Sequence, residues 1–441
     1  NLPFAAYICR PKIPFMKKSI LPLFASIFIC FLLSFTPAPN PPATEKPINV
    51  DWLDKSINPG DDFFEYVNAK WNKENPIPAT ESRWGAFNVL ADNSKKMLRE
   101  IMEEDAKSNA PQGSTAQKVG DFWYSGMDTV SIEKLGITPI KPYLDQIDAI
   151  KSKDDLIKTT ASLHKFATTA LWQFYIDADQ MNSSMNILNL YQGGLGLPDR
   201  DYYLRTDEKS AEIRKAYADY ITKLLTLSGT SATDAAAAVK TIMAIETELA
   251  KASFTNVELR DPHANYNKMG VKELTDREPN LNWNLYFTSM GFPAMNEVMV
   301  GQPKFFDRVN KLIDSVSVND WKTYLRFHLV DNAANLLSSD FEKAHFAFYS
   351  TALRGVQVMN PRWKRVSEMA DGALGEALGQ EYVKRTFTPE AKQKMIELVN
   401  NLKVALGQRI DQLDWRRPEP KVKAKEKLNC SAVKVGYPDK W

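Results

Sequence analysis

The stretch from Asn58 to Phe87 decides the fold of this chain, and it reads NPGDDFFEYVNAKWNKENPIPATESRWGAF. Its opening Asn-Pro-Gly is a turn signal, because Pro fixes φ and Gly tolerates positive φ. Asp61 or Asp62 can then accept backbone N–H groups and cap a helix. The sequence therefore predicts a helix that begins immediately after this turn.

The helix that follows the turn is predicted to be amphipathic and short. Phe63, Val67 and Trp71 recur every four residues, which places them on one face of a helix. Pro76 and Pro78 predict its end, since proline lacks the backbone N–H and constrains the residue before it.

The composition is that of a globular protein with no strong charge preference. The chain has 441 residues, of which 44% are hydrophobic and 25% charged, and its formal net charge is +2. Nothing in this balance indicates a nucleic acid partner. The length exceeds the roughly 250–300 residues at which one hydrophobic core stops growing, so we expect two lobes.

Most of the chain has helical spacing of apolar residues, so the predicted fold class is mainly α with many helices. Residues 211–227 and 234–251 each carry an apolar face, and Asp234 is the predicted cap of the second. A third segment spans 388–415, with Thr388 as its cap. Its apolar seam is predicted to lie in the core and comprises Ile396, Val399, Leu402, Leu406, Ile410 and Leu413.

Strand signals are sparse. Residues 170–176 and 184–191 are short runs rich in residues that favour strands, and the polar residues 177–183 separate them. A small β-hairpin is predicted there.

The amino terminus is typical of an exported protein. Residues 16–38 begin with Met and place two lysines before the apolar run 20–35, which predicts a signal peptide cleaved near Ala38. Residues 1–15 would then be a reading-frame extension, and residues 39–50 a Pro-rich linker. The alternative is an uncleaved membrane anchor. We expect an exported, periplasmic or otherwise extracytoplasmic protein that contacts a membrane only through an uncleaved signal.

The stretch that opens this section resembles the start of the neprilysin-type zinc metallopeptidases, in particular the bacterial endopeptidase O type. Further blocks resemble the same family in the same order along residues 51–441. They are GLGLPDRDYY (194–203), IETELA (245–250), RDP (260–262) with Tyr266-Asn267, PRWKR (361–365) and GYPDKW (436–441).

The resemblance implies that residues 51–441 form the mostly helical N-terminal domain of such a peptidase. In the family this domain encloses a chamber that admits oligopeptides, so oligopeptide substrates and the C-terminal catalytic domain are the implied partners. The full-length enzyme is implied to be a zinc-dependent endopeptidase whose catalytic domain would lie beyond Trp441. The alternative function is a non-catalytic helical peptide-binding protein of peptidase ancestry.

One substrate-binding residue is implied by the resemblance. The family uses an Arg in a Ser-Arg-aromatic-Gly segment to bind the free carboxylate of its peptide, and Arg83 stands at that place. A guanidinium group can meet a carboxylate with two parallel hydrogen bonds. The alternative is an ordinary ion pair with Glu81 or another acid.

We expect no catalytic residue and no metal ligand in this chain. The family's zinc site begins with H-E-x-x-H, in which two His bind the metal and Glu activates water. No His is followed by Glu, no two His are four apart, and Cys430 is the one Cys after the signal region. Zinc is therefore implied for the full-length enzyme and not for this chain. The four His are His164, His263, His328 and His345.

The chain departs from the family at Arg416–Pro420. The family has a segment compatible with a helix there, whereas Pro418 and Pro420 should break one. A reading-frame slip and a genuine loop both explain this departure.

Overall fold

A computed structural model describes residues 49–441. The predicted reading-frame extension, signal peptide and nearly all of the Pro-rich linker lie outside these residues. Among residues 49–441, no helix is both long and apolar enough to cross a bilayer. The chain divides into two compact units that meet in sequence between Glu74 and Asn75.

Helices dominate the described residues, which confirms the predicted mainly α class. A π-helix, Phe346–Ala352, interrupts the helical part of the chain. The α-helices are α1 (Phe63–Glu74), α2 (Ala86–Lys107), α3 (Thr115–Met127), α4 (Thr129–Leu135), α5 (Lys141–Asp148), α6 (Lys153–Lys165), α7 (Asp201–Leu204), α8 (Glu208–Leu227), α9 (Ala232–Ala252), α10 (Val271–Arg277), α11 (Trp283–Met290), α12 (Pro303–Ser315), α13 (Val318–Ala333), α14 (Ser339–His345), α15 (Arg362–Thr386), α16 (Pro389–Gln412) and α17 (Pro418–Asn429).

The first unit contains the turn and helix that the sequence predicts. The Asp61 N–H donates to the Asn58 carbonyl at 3.0 Å, which closes the turn. The Asp62 carboxylate then accepts from the Glu65 N–H at 2.9 Å and so caps α1. The helix ends at Glu74, two residues before the first proline, as predicted.

The second unit holds two separate hydrophobic cores, in agreement with the expected two lobes. The larger core joins α5, α6, α8, α9 and α11–α14 to one face of the sheet. Its centre is aromatic: the Trp172 and Tyr286 rings lie 5.1 Å apart, and the Trp172 and Trp283 rings 5.3 Å apart. Buried aromatic pairs of this kind add to the free energy gained from burial alone.

The smaller core lies between α2, α3 and α15. Ile101 and Met102 from α2, Trp123 from α3 and Val366 from α15 are buried there. Gly120 lets α2 and α3 approach closely, since a Cβ at this position would lie 2.6 Å from the Asp105 carbonyl.

The predicted hairpin exists and belongs to a larger sheet. The four strands have the order β1-β2-β4-β3, with β2 and β4 parallel and the other pairs antiparallel. The strands continue through most of the polar residues 177–183, because they pair with each other outside the apolar core. The strands are β1 (Trp172–Asp179), β2 (Asn182–Gln192), β3 (Lys268–Gly270) and β4 (Glu297–Val300).

The helices predicted near 211–227 and 234–251 are α8 and α9, but the predicted cap of α9 is wrong. Ser231 caps this helix, and its side chain accepts from the Asp234 N–H at 3.1 Å. Asp234 lies inside the first turn, where its charge suits the positive end of the helix. Ser and Asp both favour such positions, so spacing alone did not separate them.

The apolar seam of α16 is not a core element, and this prediction is wrong. Thr388 caps the helix as predicted, accepting from the Ala391 N–H at 3.2 Å. No residue of α16 is buried, and Leu402 and Leu406 are 61% and 51% exposed. The helix packs on α17, whose residues are also not buried, so among residues 49–441 the seam is only partly covered: Ile396, Val399, Ile410 and Leu413 are half-buried.

The prolines near 418 break the helix as predicted. The preceding helix ends at Gln412, and Pro418 opens α17 at its first position. Proline is tolerated in a first helical turn, where the backbone N–H has no helical partner.

Candidate functional site

Arg83 lies in the loop that precedes α2, three residues before the helix begins. Its side chain is exposed and makes no hydrogen bond or ion pair with any residue between 49 and 441. The alternative pairing with Glu81 is therefore not formed. An unpaired guanidinium is available to an incoming carboxylate, so the substrate-binding role of Arg83 stays a prediction.

A cleft of about 520 Å³ lies beside this loop. Thr80, Glu81 and Ser82, the three residues before Arg83, form one of its walls. The π-helix, the loop after it and the start of α15 also line the cleft. Arg83 itself does not line the cleft. The volume of the cleft falls in the range of roughly 300–1,000 Å³ that is usual for small-ligand sites.

Backbone hydrogen bonds join the loop before Arg83 to the segment that follows the π-helix. The N–H groups of Gln357 and Val358 both donate to the Ala79 carbonyl, at 3.3 and 3.1 Å. Gly355 turns the chain between the π-helix and Gln357 with φ of +75°, a value that favours glycine. Two of the segments that line the cleft are therefore bonded to each other.

The π-helix is a feature that sequence reasoning missed. Its turns are wider than those of an α-helix, and π-helices are rare and frequent at functional sites. No residue pattern in 346–352 distinguishes it from an α-helix. The neighbouring PRWKR block was the one available signal, because it supplies Arg365 to the cleft.

A buried carboxylate joins the two cores at the base of the cleft. Glu342, on α14, accepts two hydrogen bonds from Arg365 at 2.8 and 3.0 Å and one from Arg362 at 3.2 Å. Arg362 also donates twice to the Gly126 carbonyl on α3, at 2.9 and 2.8 Å. The forked geometry fixes α15 against α14 and leaves the buried charge paired.

His345 contributes a neutral imidazole to the cleft. Burial, with a smaller effect from the nearby Arg354 charge, lowers the pKa of His345 to about 4. Its ring lies 4.5 Å from the Tyr349 ring, and its Nε2 is 3.4 Å from Asn335 Nδ2. An acceptor Nε2 places the proton on Nδ1, so the ring can donate from that side.

Two blocks of the family resemblance meet in the larger core, away from the cleft. Glu246 from the IETELA block is fully buried and accepts hydrogen bonds from Tyr203 at 2.8 Å and Tyr217 at 2.9 Å. His328 Nε2 lies 2.9 Å from the same carboxylate but is not oriented to hydrogen-bond with it. This network holds α7, α8, α9 and α13 together, and we assign it a structural role.

The residues present do not fit a catalytic zinc ion. Within 49–441, no group of three His, Cys, Asp or Glu side chains is placed to hold a metal. Both ring nitrogens of His164 already have partners, at 2.7 Å from the Tyr286 hydroxyl and 2.8 Å from the Ala170 carbonyl. We therefore assign no chemical step through zinc to this chain.

Comparisons with known proteins agree with the resemblance. Endothelin-converting enzyme 1 from Bos taurus is 28% identical over 401 residues, which are 88% of this chain and 52% of that protein. The Mycobacterium tuberculosis zinc metalloprotease Zmp1 in complex with an inhibitor has a TM-score of 0.85 and 33% identity, covering 89% of this chain and 60% of that one. PepO from Lactobacillus rhamnosis HN001, at 23% identity, shares the fold with a TM-score of 0.79 over 87% of this chain and 61% of its own.

The chain spans about half the length of the curated relatives it matches. A family profile matches residues 59–438, which include every block that carries the resemblance except Asn58 of the opening stretch and the last three residues of the final block. This chain belongs to peptidase family M13.

Proposed function

We propose that this chain is the substrate-enclosing N-terminal part of an exported zinc-dependent endopeptidase that hydrolyses oligopeptides. The family match over residues 59–438 carries the proposal. The similar Mycobacterium tuberculosis Zmp1 is a zinc metalloprotease by name, and this chain aligns with about half of the length of the curated relatives. Zinc and the groups that act on the scissile bond would be supplied by the catalytic domain, and this chain alone would not cleave peptides.

The exposed seam of α16 supports a partner domain. Large apolar side chains rarely cluster on an exposed face without a covering partner. Met395, Leu398, Leu402 and Leu406 lie on one face of this helix by their spacing, and each is more than a third exposed. We propose that the catalytic domain covers this surface.

In this proposal Arg83 binds the terminal carboxylate of the peptide. Its guanidinium is exposed and has no partner among residues 49–441, so no existing ion pair has to be broken. The alternative, a non-catalytic peptide-binding protein, uses the same residue. The two functions differ in whether a catalytic domain with H-E-x-x-H is encoded with this chain, which sequencing of the complete gene determines.

Peptide binding tests the proposal directly. A fluorescent nonapeptide with a free carboxylate should bind the purified chain, and Arg83→Gln should weaken binding about tenfold, since a charge-assisted pair is lost. Arg205→Gln, an exposed Arg outside the cleft, is the matched control and should change nothing. The C-terminal amide of the peptide should bind wild type and Arg83→Gln equally.

Metal analysis and a cleavage assay complete the test. The purified chain should hold far less than one zinc per molecule and should not hydrolyse the nonapeptide in zinc buffer. Stoichiometric zinc with hydrolysis would contradict the proposal that catalysis belongs to another domain. Absence of peptide binding would contradict the substrate-enclosing role.

A further inference from the structure

The charged side chains that line the cleft are not all paired. Two pairs are complete: Lys95 Nζ lies 2.5 Å from a Glu368 oxygen, and Arg365 donates to Glu342 at 2.8 Å. Two charges of opposite sign are left over. The six charged residues of the cleft wall are Glu81, Lys95, Glu342, Arg354, Arg365 and Glu368.

The two remaining groups are Arg354 and Glu81. Among residues 49–441, neither makes a side-chain hydrogen bond or ion pair, and they are too far apart to pair with each other. Arg354 follows the π-helix, whereas Glu81 lies in the loop before Arg83, so the two charges come from different segments that line the cleft. A ligand in the cleft would meet both a cation and an anion.

Neutral hydrogen-bonding groups line the same cleft. Asn360 Oδ1 is buried and has no hydrogen-bond partner, which is costly unless a ligand or water donates to it. The His345 ring can donate from Nδ1, and the Ser350 hydroxyl has no partner among the described residues. An unused acceptor beside unused donors matches the N–H and C=O groups of a peptide backbone.

We propose that this cleft is a specificity subsite for peptides that carry an acidic and a basic side chain close together. Arg354 would bind the carboxylate, Glu81 would bind the ammonium group, and Asn360 would accept a backbone N–H. A purely anionic ligand fits less well, because Glu81 would repel it and His345 carries no charge. This inference rests on the proposed peptide-binding function and adds a site distinct from Arg83.

The test uses capped dipeptides, which have no terminal charges for Arg83 to bind. N-acetyl-Glu-Lys-amide is the probe, and the same molecule with Gln replacing Glu, or Gln replacing Lys, provides the matched comparisons. Binding to the full chain is followed by ligand-observed NMR titration. Each neutral replacement in the probe should weaken binding about tenfold.

Variants then assign each charge. Arg354→Gln should weaken binding of the Glu-Lys probe about tenfold and leave binding of the Gln-Lys probe unchanged. Glu81→Gln should weaken binding of the Glu-Lys probe about tenfold and leave binding of the Glu-Gln probe unchanged. Arg205→Gln and Glu212→Gln are exposed controls outside the cleft. Circular dichroism melts confirm that each variant is folded.

The outcomes separate this inference from the proposed function. Equal binding of all three probes to wild type and variants overturns the inference, while Arg83-dependent binding of the nonapeptide leaves the proposed function standing. Loss of dipeptide binding in Arg83→Gln that equals the loss in Arg354→Gln also overturns it, because the two sites would then be one. Failure of both the dipeptides and the nonapeptide to bind overturns both proposals.

Discussion

Helices α8 and α16 have the same apolar spacing and opposite environments. In α8, Tyr217 and Leu224 are completely buried in the larger core. In α16, Leu402 and Leu406 face outward on a helix that has no buried residue. Periodicity reports that a helix has an apolar face, but it does not report whether another element covers that face.

The largest effect should come from a matched pair of truncations on these two helices. Leu224→Ala should lower the free energy of unfolding by roughly 2–5 kcal/mol, because it leaves a cavity in a packed core. Leu402→Ala should cost less than about 1 kcal/mol, since its side chain is already 61% exposed. Chemical denaturation followed by circular dichroism measures both unfolding free energies. Equal losses in the two variants would contradict the difference between α8 and α16.

The contact between the two cores should be nearly as sensitive. Glu342→Gln leaves Arg362 and Arg365 without their shared carboxylate and should cost roughly 3 kcal/mol of unfolding free energy. Glu212→Gln on exposed α8 surface is the control and should stay within about 0.5 kcal/mol. A loss no greater than that of the control would show that the ion pair does not hold the cores together.

A buried carboxyl in the larger core predicts a pH effect. Burial raises the pKa of Glu278 to about 8, and the Trp283 indole N–H donates to the carboxyl at 3.0 Å. The folded protein holds this proton between pH 4.5 and 8 and the unfolded chain does not, so the stability from this group is complete below pH 4.5 and is lost as pH rises towards 8.

Substitution of this carboxyl isolates its contribution. At pH 4 the free energy of unfolding of Glu278→Gln should match that of wild type. By pH 8 the variant should be more stable than wild type by on the order of 2 kcal/mol, because the amide cannot ionise and still accepts from Trp283. Glu397→Gln on exposed α16 should show no such trend. Parallel wild-type and Glu278→Gln stability curves across this pH range would contradict the assignment.

The smallest effect concerns the uncovered seam. The chain should self-associate weakly at high concentration, because exposed apolar patches attract one another. Changing Leu402 and Leu406 together to Lys should lower the apparent mass in light scattering without lowering the melting temperature by more than a few degrees. A wild-type chain that stays monomeric would count against an adhesive seam.

The sequence predicted those parts of the fold that depend on neighbouring residues. Turn chemistry around Asn58, the cap at Thr388 and the break at Pro418 all follow from local backbone requirements, and each was found. The hairpin was predicted from two short runs, but its place beside β4 was not. That pairing joins Asn189 to Met299, which are far apart in the chain.

The candidate site was predictable only in part. Arg83 was found through a short motif, and the structure leaves its guanidinium unpaired within residues 49–441. The cleft beside it was not predicted, because Glu81 lies more than 250 residues before His345 and Arg354 in the chain and no shared pattern links them. The π-helix adds one widened turn that residue spacing does not reveal.

The sequence by itself determined where several helices begin or end, which faces are apolar and which peptidase family the chain resembles. These properties are local, since they depend on caps, prolines and the spacing of side chains along one helix. Tertiary structure decided which apolar faces are buried, which charges are paired and which are left open in the cleft. Burial and ion pairing depend on elements that meet only after folding, so no single segment contains them.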